Sequence, residues 1–387
     1  VTAVEAVPKK PLLERVGVTY FERRSARTEK IESGDAVHIL NPLERKALRA
    51  VTRGCVVRAG VAGALSSVAS AVAELIAEGT VGDNVPEAAR SIVAWWMIVM
   101  GVTIIASIFE IAFLYWDGLR SVHELGRQAG LKLFETKGPD TVMVATVLAR
   151  AALELPNPVE NRWGINPRRE AAKWRLVAAS LLYKAKIGLT NFLFKALVRR
   201  MLGRVLLRRA LQTAVPFVAV PVTAAWNSYV AWRVMREARL RAMGPSAIHE
   251  LVGLIFSDHP QVEESGRIAA LRAVGAAIVR TQDLHPNLLA LFDEVASRAK
   301  YEGTAELDDP GEFLRSLSEL SKDDRRLALQ VLAIALIVDG ELAPKEKLLY
   351  REALASAGRE VDLTTLETLR RAFVRGDGWA DEAIRAL

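Results

Sequence analysis

IVAWWMIVMGVTIIASIFEIAFLYW, residues 92–116, decides the fold of this chain, because Glu110 alone interrupts an otherwise uncharged apolar run. A helix rises ~1.5 Å per residue and the hydrocarbon core of a bilayer is ~30 Å thick, so about 20 such residues span it. Trp95 and Trp96 mark one end of the run, and Tyr115 and Trp116 the other. Aromatic residues gather at both faces of a membrane in this way. The competing reading is a core helix of a large soluble bundle, which would bury the same residues in protein.

Before it lies a second spanning candidate, RAGVAGALSSVASAVAELIAEG at 58–79, whose strictly uncharged part runs from Ala59 to Ala73. Arg58 can snorkel to one surface and Glu74 sits near the other end. Gly60, Gly63, Ser67 and Ala71 share one face of this helix. Small residues let helices approach closely in lipid, so this face is expected to pack against the 92–116 helix. NPLERKALRAVTR at 41–53 starts the helix, with Asn41 as N-cap, Pro42 in the first turn and Glu44 three residues after the cap. With GTVGDNVPEAAR (79–90) as its turn, 55–116 reads as a transmembrane helical hairpin behind an N-terminal arm, 1–54.

Flanking charge orients that hairpin. Arg45, Lys46, Arg49, Arg53 and Arg58 precede it and Arg120, Arg127 and Lys132 follow it, whereas the turn holds Glu78, Asp83 and Glu87 against Arg90. The positive-inside rule then puts both ends in the cytoplasm of a bacterial inner membrane. A carboxylate at the depth of Glu110 needs a partner or water, and Arg58 stands at a similar depth on the facing helix. An Arg58–Glu110 ion pair is the expected arrangement, a proton or ion pathway through Glu110 the alternative.

Charge also divides the chain. Residues 245–387 carry 17 basic and 25 acidic side chains, a net −8, and residues 1–244 carry 35 and 20, a net +15. A basic, apolar first part joined to an acidic tail fits a membrane surface better than nucleic acid, and no zinc spacing or RNA-binding motif is present. Cys55, the only cysteine, excludes an intrachain disulfide and a thiolate cluster. VTAVEAVPKK (1–10) lacks the apolar region of a secretory signal.

The middle region, 117–243, is expected to be helical, with one helix at 141–156. Between 184 and 209 stand Lys184, Lys186, Lys195, Arg199, Arg200, Arg204, Arg208 and Arg209 with no acidic residue among them. Apolar residues recur between them at helical spacing, which suits either an amphipathic helix on anionic headgroups or a core helix with solvated edges. The uncharged stretch 210–232 contains Pro216 and Pro221 and has arginines on both flanks. A kinked, re-entrant or interfacial segment is expected there rather than a simple crossing. AVPFVAVPVTAAWNSYVAWRVMREAR resembles the proline–apolar–Asn segment and following basic helix of EcsC-like proteins, with Pro216, Pro221 and Asn227 at the matching positions. It lacks the glycines usual between the proline and the Asn.

Gly244-Pro245 marks the expected boundary of an all-helical soluble domain, 244–387. In RRLALQVLAIALIVDGELAPKEKLLYREALASAG (325–358) an apolar helix ends at Asp339-Gly340-Glu341 and Pro344 opens the next, with Glu346 in its first turn. This resembles the TerB-like, tellurite-resistance-associated domain, whose helices meet at a D-G-x-x-x-x-x-E turn. The resemblance implies two such halves. GAAIVRTQDLHPNLLALFDEVA aligns as a degenerate first half, with Thr281, Gln282 and Leu288 in place of Asp339, Gly340 and Glu346. Asp339, Glu341 and Glu346 are the candidate ligands of a divalent cation, although calcium takes more oxygens than they supply and Asp339 can instead cap the next helix.

No nucleophile–base constellation, phosphate loop or dinucleotide fingerprint stands out, and His38, His123, His249, His259 and His285 are scattered. The expectation is an all-α membrane protein that is not an enzyme. It presents a TerB-like domain to a protein partner, or to copies of itself, as an adaptor or scaffold. An EcsC-like binder of anionic lipid surfaces and an oligomeric transporter or channel built on Glu110 are the alternatives.

Overall fold

The structure, a computed structural model, describes residues 12–25, 37–81, 88–130, 139–153, 162–167, 169, 215–303 and 305–387. Every regular element among them is a helix. The basic run 184–209 lies outside the described residues.

Local sequence accounts for where the helices begin. α1 is Leu12–Ser25 and α2 is Pro42–Val81. At the start of α2 the Asn41 side chain accepts from the backbone of Leu43 (3.0 Å) and Glu44 (2.9 Å), and Glu44 accepts in return from the Asn41 N–H at 2.9 Å. That reciprocal box satisfies donors a helix start leaves without partners. α3 is Ala88–Gln128, α4 is Pro139–Ala152, and a short 3₁₀ turn covers Arg162–Gly164. α5 runs from Val215 to Asp258.

α5 overturns two expectations. The described part of 210–232 is not a re-entrant bend but the first turns of a 44-residue helix. Pro216 and Pro221 lie inside this helix, and Pro221 gives up a single intrahelical bond without ending it. The helix also passes through Gly244-Pro245, which therefore does not end a domain.

The chain divides into two units that are not contiguous in sequence. One gathers the described residues of 1–48, 125–172 and 237–387, the other those of 49–124 and 173–236. The expected serial division at 54, 116 and 243 does not correspond to it, because α2, α3 and α5 each give one end to either unit.

In the first unit the C-terminal helices are α6 (Glu264–Thr281), α7 (Pro286–Ala299), α8 (Pro310–Glu319), α9 (Lys322–Ala335), α10 (Pro344–Ser356), α11 (Leu363–Arg375) and α12 (Asp381–Arg385). α6 is their centre: Ala269–Leu271 and Ala273–Val279 are all buried, and it packs most extensively against α9. A helix apolar on every side belongs inside a bundle. α1 packs on α4, where Glu14 and Arg150 form a buried ion pair. In the second unit α2, α3 and the start of α5 come together, and there the burial pattern is reversed.

Candidate functional site

In the second unit the polar side chains face inward. Thr103, Glu110 and Asp117 recur every seven residues of α3 and are 8%, 4% and 1% exposed. The apolar side chains of the same helix face out, with Met97 67%, Ile108 61% and Phe109 71% exposed. Of its most apolar stretch, mean hydropathy 2.3, only 17% is buried.

The small-residue face of α2 was expected to meet the 92–116 helix, but Gly60, Gly63 and Ser67 meet α5. A methyl group on Gly60 would lie 2.5 Å from Ser228 Oγ, and one on Gly63 would lie 2.6 Å from Asn227 Nδ2 and 2.9 Å from the Thr223 carbonyl. Only glycine permits that approach. Further along, Ser67 and Thr223 hydroxyls are 2.6 Å apart, and Ser228 donates to the Val56 carbonyl at 3.1 Å. Ala71, the last residue of the stripe, is buried.

The expected Arg58–Glu110 pair does not form. Arg58 Nε donates to Asp117 Oδ1 at 2.7 Å and its Nη2 donates to Ser121 Oγ at 3.0 Å. Glu110 Oε1 instead accepts from Asn227 Nδ2 at 2.7 Å. The physical reason is reach: Asp117 stands two turns nearer the basic end of α3, where a guanidinium stays partly in water. Glu110 meets an uncharged donor on α5. Asp117 and Ser121 are the residues of this cluster that sequence reasoning missed, and Asn227 was singled out only for its place in the EcsC-like pattern. The seven-residue step from Thr103 through Glu110 to Asp117 was the available signal.

The first unit holds the acidic turn. Asp339 Oδ1 accepts from the Glu341 N–H at 2.9 Å, Gly340 takes φ +76°, and Arg370 donates to the Gly340 carbonyl at 2.7 Å. Glu346 Oε2 accepts from the Ala343 N–H at 2.5 Å, while Oε1 is buried without a hydrogen-bond partner. Burial pushes Asp339 up to about 7, helped by the neighbouring Glu346 and opposed by His285. Burial likewise pushes Glu346 up to about 7, against the Ala343 N–H.

These carboxylates do not make the expected cation site. Among the described residues no three acidic, His or Cys side chains gather to hold a metal ion. Asp339 and Glu346 each spend an oxygen on a backbone N–H, Glu341 is exposed, and a divalent ion needs more oxygens than remain.

The degenerate half matches the acidic turn in backbone. Gln282, aligned with Gly340, also has positive φ, +61°. Four residues after each, Pro286 and Pro344 occupy the first positions of α7 and α10. Leu288 and Glu346 are both buried in the first turn. Beside them Asn287 donates to the carbonyls of Leu240 (3.0 Å) and Val338 (2.6 Å), and His285 Nε2 lies 2.9 Å from Glu237 Oε1. His285 and Arg241 hold the Glu237 carboxyl down at about 2 against the opposing effect of burial.

Comparison with protein-family models, with curated proteins and with solved structures finds no match to this chain.

Proposed function

We propose that this chain is a membrane protein in which α2 and α3 cross a bacterial inner membrane as a hairpin, with both ends cytoplasmic. There it presents its acidic helical unit as an adaptor to a protein partner or to copies of itself. One observation carries the membrane reading: α3 turns its polar residues inward and its large apolar residues outward. A core helix of a soluble bundle does the reverse, because water penalises exposed apolar area by ~25 cal/mol per Å². Lipid removes that penalty and imposes one on polar groups, so Thr103, Glu110 and Asp117 turn toward protein.

The arginines in the first half of α2 and at the end of α3 support the orientation. The paired turns around Gln282 and Gly340 support a TerB-like reading of the helical unit. Its acidic surface suits a basic protein partner and resists anionic lipid, which argues for an adaptor on the cytoplasmic side. A transport pathway through Glu110 has less support, since its carboxylate is engaged by Asn227 of the same chain. The reading requires no cofactor and assigns no catalytic step.

Carbonate extraction of membranes, followed by protease treatment of sealed vesicles of each orientation, tests the proposal. The chain should stay in the pellet, and its C-terminal helices should be cut only when the cytoplasmic face is outside. Release at high pH overturns the membrane reading. Cutting from the opposite face overturns the orientation. Light scattering in detergent, with and without cross-linker, tests self-assembly. A monomer that pulls down no partner removes the adaptor role.

A further inference from the structure

An arginine-rimmed groove opens on the outward face of α2. Arg49, Ala50, Arg53, Gly54, Val57 and Arg58 line a space of about 560 Å³. No acidic residue is among its lining, and Arg49 and Arg53 are exposed there beside Arg58, whose charge is paired with Asp117.

Two features make this more than a row of surface cations. First, Arg58 is held in place. Its Nε and Nη2 are committed to Asp117 and Ser121, and its Nη1 lies over Gly54, only 2.9 Å from where a methyl group on that residue would be. The guanidinium is thus pre-oriented, with one nitrogen left for a ligand. Arginine is suited to this role because its planar fork matches phosphate oxygens. Second, the exposed side of the helix beyond these cations is apolar. Val57, Val61 and Leu65 are 55%, 52% and 65% exposed. Val57 to Leu65 rises ~12 Å along the helix, close to the ~15 Å depth of one leaflet.

We propose that Arg49, Arg53 and Arg58 bind the phosphate-bearing headgroup of an anionic phospholipid whose acyl chain lies along Val57, Val61 and Leu65. This rests on the reading of α2 as a membrane helix. Cations at the surface end and an apolar rail beneath them match both parts of such a lipid, whereas free phosphate would use only the first. Val57 at the foot of the groove joins the two.

Native mass spectrometry of the delipidated full-length protein in detergent, titrated with phosphatidylglycerol, is the test. Removing both exposed charges in Arg49→Gln/Arg53→Gln should weaken binding roughly 30-fold, at about 1 kcal/mol for each cation near a lipid surface. Arg49→Lys/Arg53→Lys, which keeps the charge, should retain most of it. An unchanged melting temperature in both variants supports a local effect, and an affinity equal to wild type in the glutamine variant overturns the site. Equal binding of phosphatidylcholine, or displacement of the lipid by millimolar inorganic phosphate, overturns the anionic-lipid assignment. Carbonate extraction of the same variants keeps the two readings apart: the site fails if binding is unchanged while the chain stays in the pellet, and the membrane reading fails if the wild type is released.

Discussion

Asn227 of α5 donates a 2.7 Å hydrogen bond to the Glu110 carboxylate of α3, and both side chains are 4% exposed. Their 117-residue separation in sequence makes this contact a product of the tertiary fold. It brings an uncharged donor to the one carboxylate within the apolar run 92–116.

Replacing Asn227 with Leu should therefore destabilise the protein by about 1–2 kcal/mol, since a buried acceptor loses one of its donors. Glu110→Gln, which can still accept from Asn227, should cost less. Unfolding titrations in mixed micelles followed by circular dichroism would measure both, and equal stabilities for N227L and wild type would contradict the arrangement.

Gly63 and Gly101 predict opposite responses to a side chain. At Gly63 a methyl group would press on Asn227 and on the Thr223 carbonyl, a backbone atom that cannot step aside, whereas at Gly101 it would meet nothing within 4 Å. Gly63→Val should cost roughly 1–3 kcal/mol through overpacking. Gly101→Ala should leave stability unchanged or raise it by up to about 1 kcal/mol through helix propensity. Thermal unfolding in detergent distinguishes the two sites, and tolerance at Gly63 would show that α2 and α5 do not meet there.

The buried carboxyls Asp339 and Glu346 impose a pH dependence. Their folded pKa values, about 7, lie above the ordinary 3.8 and 4.5, so between those limits the folded state holds more protons than the unfolded state. Stability therefore falls as pH rises from about 4.5 to 7 and levels off above. Glu237, Asp362 and Glu367 are held down at about 2, so their contribution is lost below about pH 4. The melting temperature should peak near pH 4.5. Glu346→Gln should flatten the alkaline side and stabilise the protein at pH 8 by on the order of 3 kcal/mol. A curve for E346Q parallel to wild type would refute the assignment.

Asn287 holds two backbone carbonyls with one amide nitrogen, those of Leu240 on α5 and of Val338 before the acidic turn. Asn287→Ala leaves both buried acceptors without that donor and should cost about 2–3 kcal/mol. Faster amide exchange in α7 and in the turn 336–343 would localise the loss, and native-like exchange there would contradict it.

Much of the helical layout was legible in the sequence. The capping box at Asn41, the prolines opening α7 and α10, and the lipid-length apolar run rest on local physics: caps, fixed φ and residue-by-residue transfer to an apolar phase. The stripe Gly60, Gly63, Ser67 and Ala71 marked a packing face for the same reason, because helical periodicity is a local property.

Partner choice was not. Periodicity says which side of a helix is packed and is silent about what packs there, so the stripe's contact with α5 and Arg58's engagement with Asp117 needed three dimensions. The prolines of α5 likewise read as a break, whereas the helix Val215–Asp258 runs through both of them. By itself the sequence determined most helix starts and the small-residue face of α2, because caps, prolines and periodicity are local. The tertiary structure decided which hidden faces meet, because that depends on close approach between residues far apart in sequence, from 59 positions for Arg58 and Asp117 to 117 for Glu110 and Asn227, and no local rule encodes it.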